Sequence, residues 1–147
     1  MNQPEEFGDR KQAAVLQLKA ARATLREAEL LLENEAYSGT LNRSYYAIFH
    51  AICALHSLDG KSYKRHKDTI GNFNKDYVRT GIFPKDYGGK VIASEAARHS
   101  SDYSEYFEPT REEAETQVAF AREFIAAVEN YCKERIGKKL LSENNCS

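Results

Sequence analysis

A chain of 147 residues, 41% hydrophobic and 29% charged with only three prolines, has the make-up of one globular domain with a single core, which excludes a disordered or fibrous chain. Its formal net charge of -1 excludes a global pull towards nucleic acid or an anionic membrane, so any polyanion binding must come from a local cluster of cations. No apolar run approaches the roughly 18 residues needed to span a bilayer, and the acidic start Met1-Asn2-Gln3-Pro4-Glu5-Glu6 is unlike a secretory signal, so a cytoplasmic protein is expected.

From about Asp9 to Glu35, Ala14, Leu18, Ala21, Leu25, Ala28 and Leu32 recur at steps of four and three, the signature of an amphipathic helix. Tyr37-Ser38-Gly39 breaks that pattern, with Ser38 placed to cap a second helix in which Leu41, Tyr45, Ile48, Ile52 and Leu55 form the apolar stripe. Asp59-Gly60-Lys61-Ser62 supplies turn chemistry after Leu58. So short a link predicts antiparallel packing of the two helices. A shorter helix is expected from about His66 to Arg79, carrying Ile70, Phe73, Tyr77 and Val78. A fourth begins at Pro84 or after Gly88-Gly89 and reaches about Ser104.

Thr110 and Glu113 then set a capping box ahead of Ala114, Val118, Ala121, Ile125, Val128 and Cys132, which predicts a fifth helix ending near Arg135. Residues 1–135 are expected to form the domain and 136–147 a flexible polar tail. No alternating strand pattern occurs, so the fold class is all-α, an up-and-down bundle of four to five helices.

Cys53 and Cys132 fall on apolar helix faces and Cys146 in the polar tail, without zinc or redox spacing, and read as buried or free thiols. The four histidines, at 50, 56, 66 and 99, include no His-Glu-x-x-His pair, so neither metal nor cofactor is expected. The informative segment is Asn42-Arg43-Ser44-Tyr45-Tyr46-Ala47-Ile48-Phe49-His50. On a helix, Arg43, Tyr46 and His50 share a face rotated from the core stripe. Imidazole exchanges protons near neutrality, and a guanidinium binds phosphate and stabilises charge on its oxygens. Asn42, Tyr46, Arg98, Asp102 and Tyr103 are candidates to support that pair, and Lys64, Arg65, His66 and Lys67, with Lys61 nearby, to bind phosphate. The bland alternatives are a carboxylate such as Asp102 for Arg43, a hydrogen-bonded buried imidazole for His50, a plain Arg98–Asp102 ion pair, and core packing for Tyr45, Tyr46 and Phe49.

The block Arg43-Ser-Tyr-Tyr-Ala-Ile-Phe-His50-Ala51, followed by Lys64-Arg65-His66-Lys67, Val78-Arg79-Thr80-Gly81 and Arg98-His99-Ser100-Ser101-Asp102-Tyr103, resembles the HEPN domain family over roughly residues 9 to 133. The resemblance implies a helical bundle, commonly a homodimer, and often a metal-independent endoribonuclease with an Arg-x(4 to 6)-His motif, which Arg43 and His50 meet at its upper limit. The Arg-Asn-x-x-x-His block of the family's best-characterised nucleases is absent here. Many such domains are toxins of toxin–antitoxin pairs, neutralised by an MNT-type nucleotidyltransferase. A non-catalytic module that binds nucleotide or such an enzyme is the alternative, with Tyr103 or Tyr106 able to accept a nucleotidyl group; a purely structural homodimer is a third reading. Seven residues on one helix separate the Arg43 and His50 Cα atoms by about 10 Å. A phosphate and ribose would bridge that gap, or a two-fold dimer would bring one protomer's Arg43 to the other's His50.

Overall fold

Ala14, Ala21, Leu25 and Ala28 turn inward from the first helix and share one core cluster with Tyr45, Ile48, Ile52 and Leu55 of the second, each of these eight at most 3% exposed. Burying each of the large members stabilises the fold by about 1.5–3 kcal/mol. This geometry comes from a computed structural model that describes the backbone of residues 4–145 and the side chains of residues 8–137. Its helices are α1 (Pro4–Glu33), α2 (Tyr37–Leu58), α3 (His66–Phe73), α4 (Asp86–Tyr103) and α5 (Arg111–Asn145). A π-helical turn, Asn74–Val78, continues α3. No strand occurs among the described residues, and none of their helices is long and apolar enough to cross a membrane.

Side-chain pairs give the directions of the long helices. Gln17 meets His50 and Glu27 meets Arg43, so α1 and α2 run antiparallel. Asn42 meets Asp102, which sets α4 antiparallel to α2. Arg22 binds Glu129 and Arg122 binds Glu29, which sets α5 antiparallel to α1. The result is the expected up-and-down bundle, with α3 and its π turn as a short cross-piece. These exposed ion pairs each contribute at most about 1 kcal/mol, so they orient α5 more than they hold it.

Several boundaries differ from the sequence reading for local reasons. Helix α2 starts at Tyr37 after Ala36, with no side-chain cap, so Ser38 is not its cap. Glu35, at φ 60°, turns the chain instead, and Thr40 Oγ donates to the Ala36 carbonyl at 2.8 Å. The third helix gives way to the π turn, where the Arg79 amide donates to the Asn74 carbonyl five residues back at 2.9 Å. Helix α4 begins at Asp86, between the two expected starts, and Gly88 lies inside its first turn. A Cβ there would sit 2.9 Å from Asn74 Oδ1, so a side chain at this position would require the Asn74 side chain to shift. The Thr110 cap forms as expected, its Oγ accepting from the Glu113 amide at 3.1 Å. Helix α5 continues past Arg135 to Asn145. Cys146 lies outside the described residues.

Phe73, Tyr77, Phe83, Tyr87 and Phe124 form an aromatic cluster where the cross-piece meets α4 and α5, all at most 5% exposed. Cys53 is half-buried and Cys132 buried, and burial pushes both thiols up to about 11.

Candidate functional site

The face of α2 that carries Arg43, Tyr46, Phe49 and His50 is left half-buried, because α1 packs along one flank and α3 with α4 along the other. Side chains on this strip can therefore be held by neighbouring helices and still meet solvent.

Arg43 is oriented by an amide, not directly by Asp102. Its Nε and Nη2 both donate to Asn42 Oδ1, at 3.0 and 2.7 Å, while Asn42 Nδ2 donates to Asp102 Oδ2 at 3.0 Å. Arg98 Nη1 lies 3.6 Å from that same carboxylate oxygen. On the other flank, Arg43 Nη1 is 3.6 Å from Glu27 Oε1, an exposed contact that screening keeps weak. A guanidinium has five N–H donors, and only two of those on Arg43 are committed to Asn42, so an anion can be bound by the rest.

His50 is half-buried, and its Nδ1–H donates to Gln17 Oε1 of α1 at 3.1 Å. With Nδ1 protonated, Nε2 presents its lone pair. Burial, and then the charge of Arg43, lowers the His50 pKa, which favours the neutral imidazole. The arrangement suits proton abstraction.

Tyr46 is the ring on which the rest converges. The Arg43 guanidinium lies 5.3 Å from its centroid, that of Arg98 5.7 Å, and the His66 ring 5.8 Å, edge-on. Arg98, 11% exposed, also lies 5.1 Å from the Tyr45 ring, so its charge is supported by two aromatic faces as well as by Asp102. His66 stacks on Phe49 at 4.0 Å, and its Nδ1 is 3.0 Å from the Tyr45 hydroxyl. Burial keeps that hydroxyl protonated, raising its pKa far above the usual range.

Residues 14–131 match the family model of the HEPN domain. The chain belongs to the HEPN domain family. It is 32% identical over 116 residues to a Thermotoga maritima protein named "UPF0332 protein", covering 79% of this chain and 88% of that one. Two Methanocaldococcus jannaschii proteins named "Putative toxin" are also similar. One is 32% identical over 117 residues, 80% of this chain and 87% of its own length; the other is 24% identical over 128 residues, 87% and 85%.

In this HEPN domain the bundle gathers Arg43, Asn42, Tyr46, Arg98, Asp102 and His66 into one connected set, with His50 on the same helix face. It leaves Tyr103 out: that ring is 71% exposed and packs on His99 at 4.8 Å. Lys64, Arg65 and Lys67 are exposed, and Arg65 Nε donates to Asp68 Oδ2 at 3.0 Å. Lys61 is bound to Asp76 at 3.2 Å. The basic run is therefore split, with His66 alone turned to the aromatic face. Gln17 and Glu27 went unremarked in the sequence. Gln17 carried a usable signal, being a polar residue between Ala14 and Ala21 on the apolar stripe of α1; nothing distinguished Glu27 from other exposed acids. A cavity of about 650 Å³ lies elsewhere, between the ends of α4 and α5 beside Phe107 and Gln117, and none of the site residues lines it.

Proposed function

We propose that this HEPN domain is a metal-independent endoribonuclease acting as the toxin of a toxin–antitoxin pair, with Arg43 and His50 as its catalytic residues. The observation that carries the reading is the orientation of His50, whose Nδ1 is engaged by Gln17 while Nε2 is left for a substrate proton, on the helix face that also presents Arg43. His50 Nε2 takes the proton of an RNA 2′-hydroxyl, whose oxygen attacks the adjacent phosphorus. Arg43 binds the phosphate and stabilises charge on its non-bridging oxygens. The products are a 2′,3′-cyclic phosphate and a 5′-hydroxyl. A homodimer through this face would bring a second set of the same groups to the strip, and an MNT-type nucleotidyltransferase is the antitoxin partner this reading implies. The names of the two similar M. jannaschii proteins support the toxin role.

The test is RNA cleavage by the purified protein in the presence of a chelator. Wild type is expected to cut and His50→Ala to lose at least about 100-fold, within the usual contribution of a general base. Equal cleavage by that variant would refute the assignment.

A second reading is supported by two exposed tyrosines at the end of α4. Tyr103 and Tyr106 are 71% and 95% exposed, so either hydroxyl is open to nucleotidyl transfer by a partner enzyme, with the domain acting as a partner-binding or nucleotide-binding module. Intact mass after incubation with an MNT-type nucleotidyltransferase and ATP is expected to rise by one nucleotidyl group; an unchanged mass rejects it.

A further inference from the structure

We propose that His66 is a second catalytic residue, the general acid that protonates the departing 5′-oxygen, so that one chain carries both proton-transfer groups. The inference rests on the ribonuclease reading above and adds a residue from a different helix.

Three observations converge on His66. First, although it lies in a run of exposed cations, its ring is turned away from them and stacks on Phe49 at 4.0 Å, next in sequence to His50. Second, it approaches Tyr46 at 5.8 Å, the same ring that the Arg43 guanidinium covers at 5.3 Å. His66 and the phosphate-binding group thus border one half-buried aromatic surface. Third, its Nδ1 is held 3.0 Å from the Tyr45 hydroxyl, which is fully buried and fixed in the core.

That hydrogen bond decides which nitrogen reacts. It occupies Nδ1: in the imidazolium Nδ1–H donates to the Tyr45 oxygen, and in the tautomer with Nδ1 unprotonated the Tyr45 O–H donates to it, so the proton left for transfer is the one on Nε2, at the far side of the ring. Glu95 and Arg98 on α4 act on the Tyr45 hydroxyl, and the Arg43 guanidinium on α2 lies over the Tyr46 ring. An exposed lysine in the same run would supply a mobile point charge; a stacked, hydrogen-bonded imidazole supplies an oriented proton donor.

The step balances as follows. His50 Nε2 accepts the 2′-hydroxyl proton, the 2′-oxygen forms its bond to phosphorus, and the bond from phosphorus to the 5′-oxygen breaks. His66 Nε2–H gives its proton to the 5′-oxygen, leaving a 5′-hydroxyl. Water then returns a proton to His66 and removes one from His50.

The experiment compares two substrates: an RNA with a mapped cleavage site, and the same RNA with sulfur in place of the bridging 5′-oxygen at that site. A thiolate leaves without being protonated, so loss of a general acid is tolerated on the sulfur substrate. His66→Gln is expected to lose at least about 100-fold on ordinary RNA and to cut the sulfur substrate at nearly the wild-type rate. His50→Gln is expected to lose on both. Equal loss by His66→Gln on the two substrates, or loss on neither, overturns the proposal while leaving the role of His50 standing. Undiminished cleavage by His50→Gln refutes the catalytic assignment of His50, and absence of cleavage by the wild-type protein refutes the ribonuclease reading itself. Because Gln at 66 removes a stacking ring, Tyr45→Phe gives a second route: it frees Nδ1 with the imidazole retained. That variant is expected to lose about tenfold on ordinary RNA alone; an equal loss on both substrates counts against the proposal.

Discussion

His56 offers a stability prediction that can be worked from the structure. It is 2% exposed, its Nε2–H donates to the Thr69 carbonyl at 3.0 Å, and its Nδ1 lone pair has no hydrogen-bond partner. Burial lowers its pKa; the Thr69 bond and the carboxylates Asp76 and Asp59 oppose that only in part, and Lys61 reinforces it. An unfolded histidine titrates near pH 6.5, so as pH falls through that value the unfolded chain gains a proton that the folded chain refuses. Stability therefore falls with pH in this window. Between about pH 6.5 and 5.5 one such histidine costs at most about 1 kcal/mol, or at most about 3 °C in Tm for a domain of this size. His56→Gln keeps an N–H for Thr69 and removes the titration. Urea unfolding followed by far-UV circular dichroism at the two pH values should show the variant losing less stability than wild type, by up to about 1 kcal/mol. His50, whose pKa is also lowered, retains its part of the slope in both proteins. An unchanged difference between the two pH values in His56→Gln would show that this ring is not held neutral by its burial.

Asn42→Ala removes the acceptor shared by Arg43 Nε and Nη2, so kcat/KM for RNA cleavage should fall about 10-fold to 100-fold, while urea unfolding shows a stability loss below about 1 kcal/mol. Gly60→Ala should lower thermal stability by more than about 1 kcal/mol, measured as a Tm shift, because Gly60 sits at φ 74° and a Cβ would come within 2.6 Å of the Arg10 guanidinium.

Much of the fold was legible because helical periodicity is a local property. The stripe Leu41, Tyr45, Ile48, Ile52 and Leu55 is read at steps of three and four, and all five residues are buried. The Thr110 cap was equally readable, since donor and acceptor lie three residues apart. The π turn at Asn74–Val78 was not, because the apolar spacing of Ile70, Phe73 and Tyr77 is compatible with a continuous α-helix. The candidate site divides along the same line. Arg43, Asn42, Tyr46 and His50 come from one short block, and their common face follows from the helical repeat. The carboxylate reaching Arg43 through Asn42 is Asp102, 60 residues away in sequence, and the amide orienting His50 is Gln17, 33 residues away.

By itself, then, the sequence determined a bundle of four to five helices, their apolar faces and the block that places an arginine and a histidine on one side of α2, since each follows from spacing along the chain. Only the tertiary structure decided that Gln17 orients His50, that Asn42 and Asp102 position Arg43, and that His66 leaves its basic run to stack on Phe49. Those contacts depend on which helix flanks are brought together, a choice set by packing the whole core rather than by any one segment.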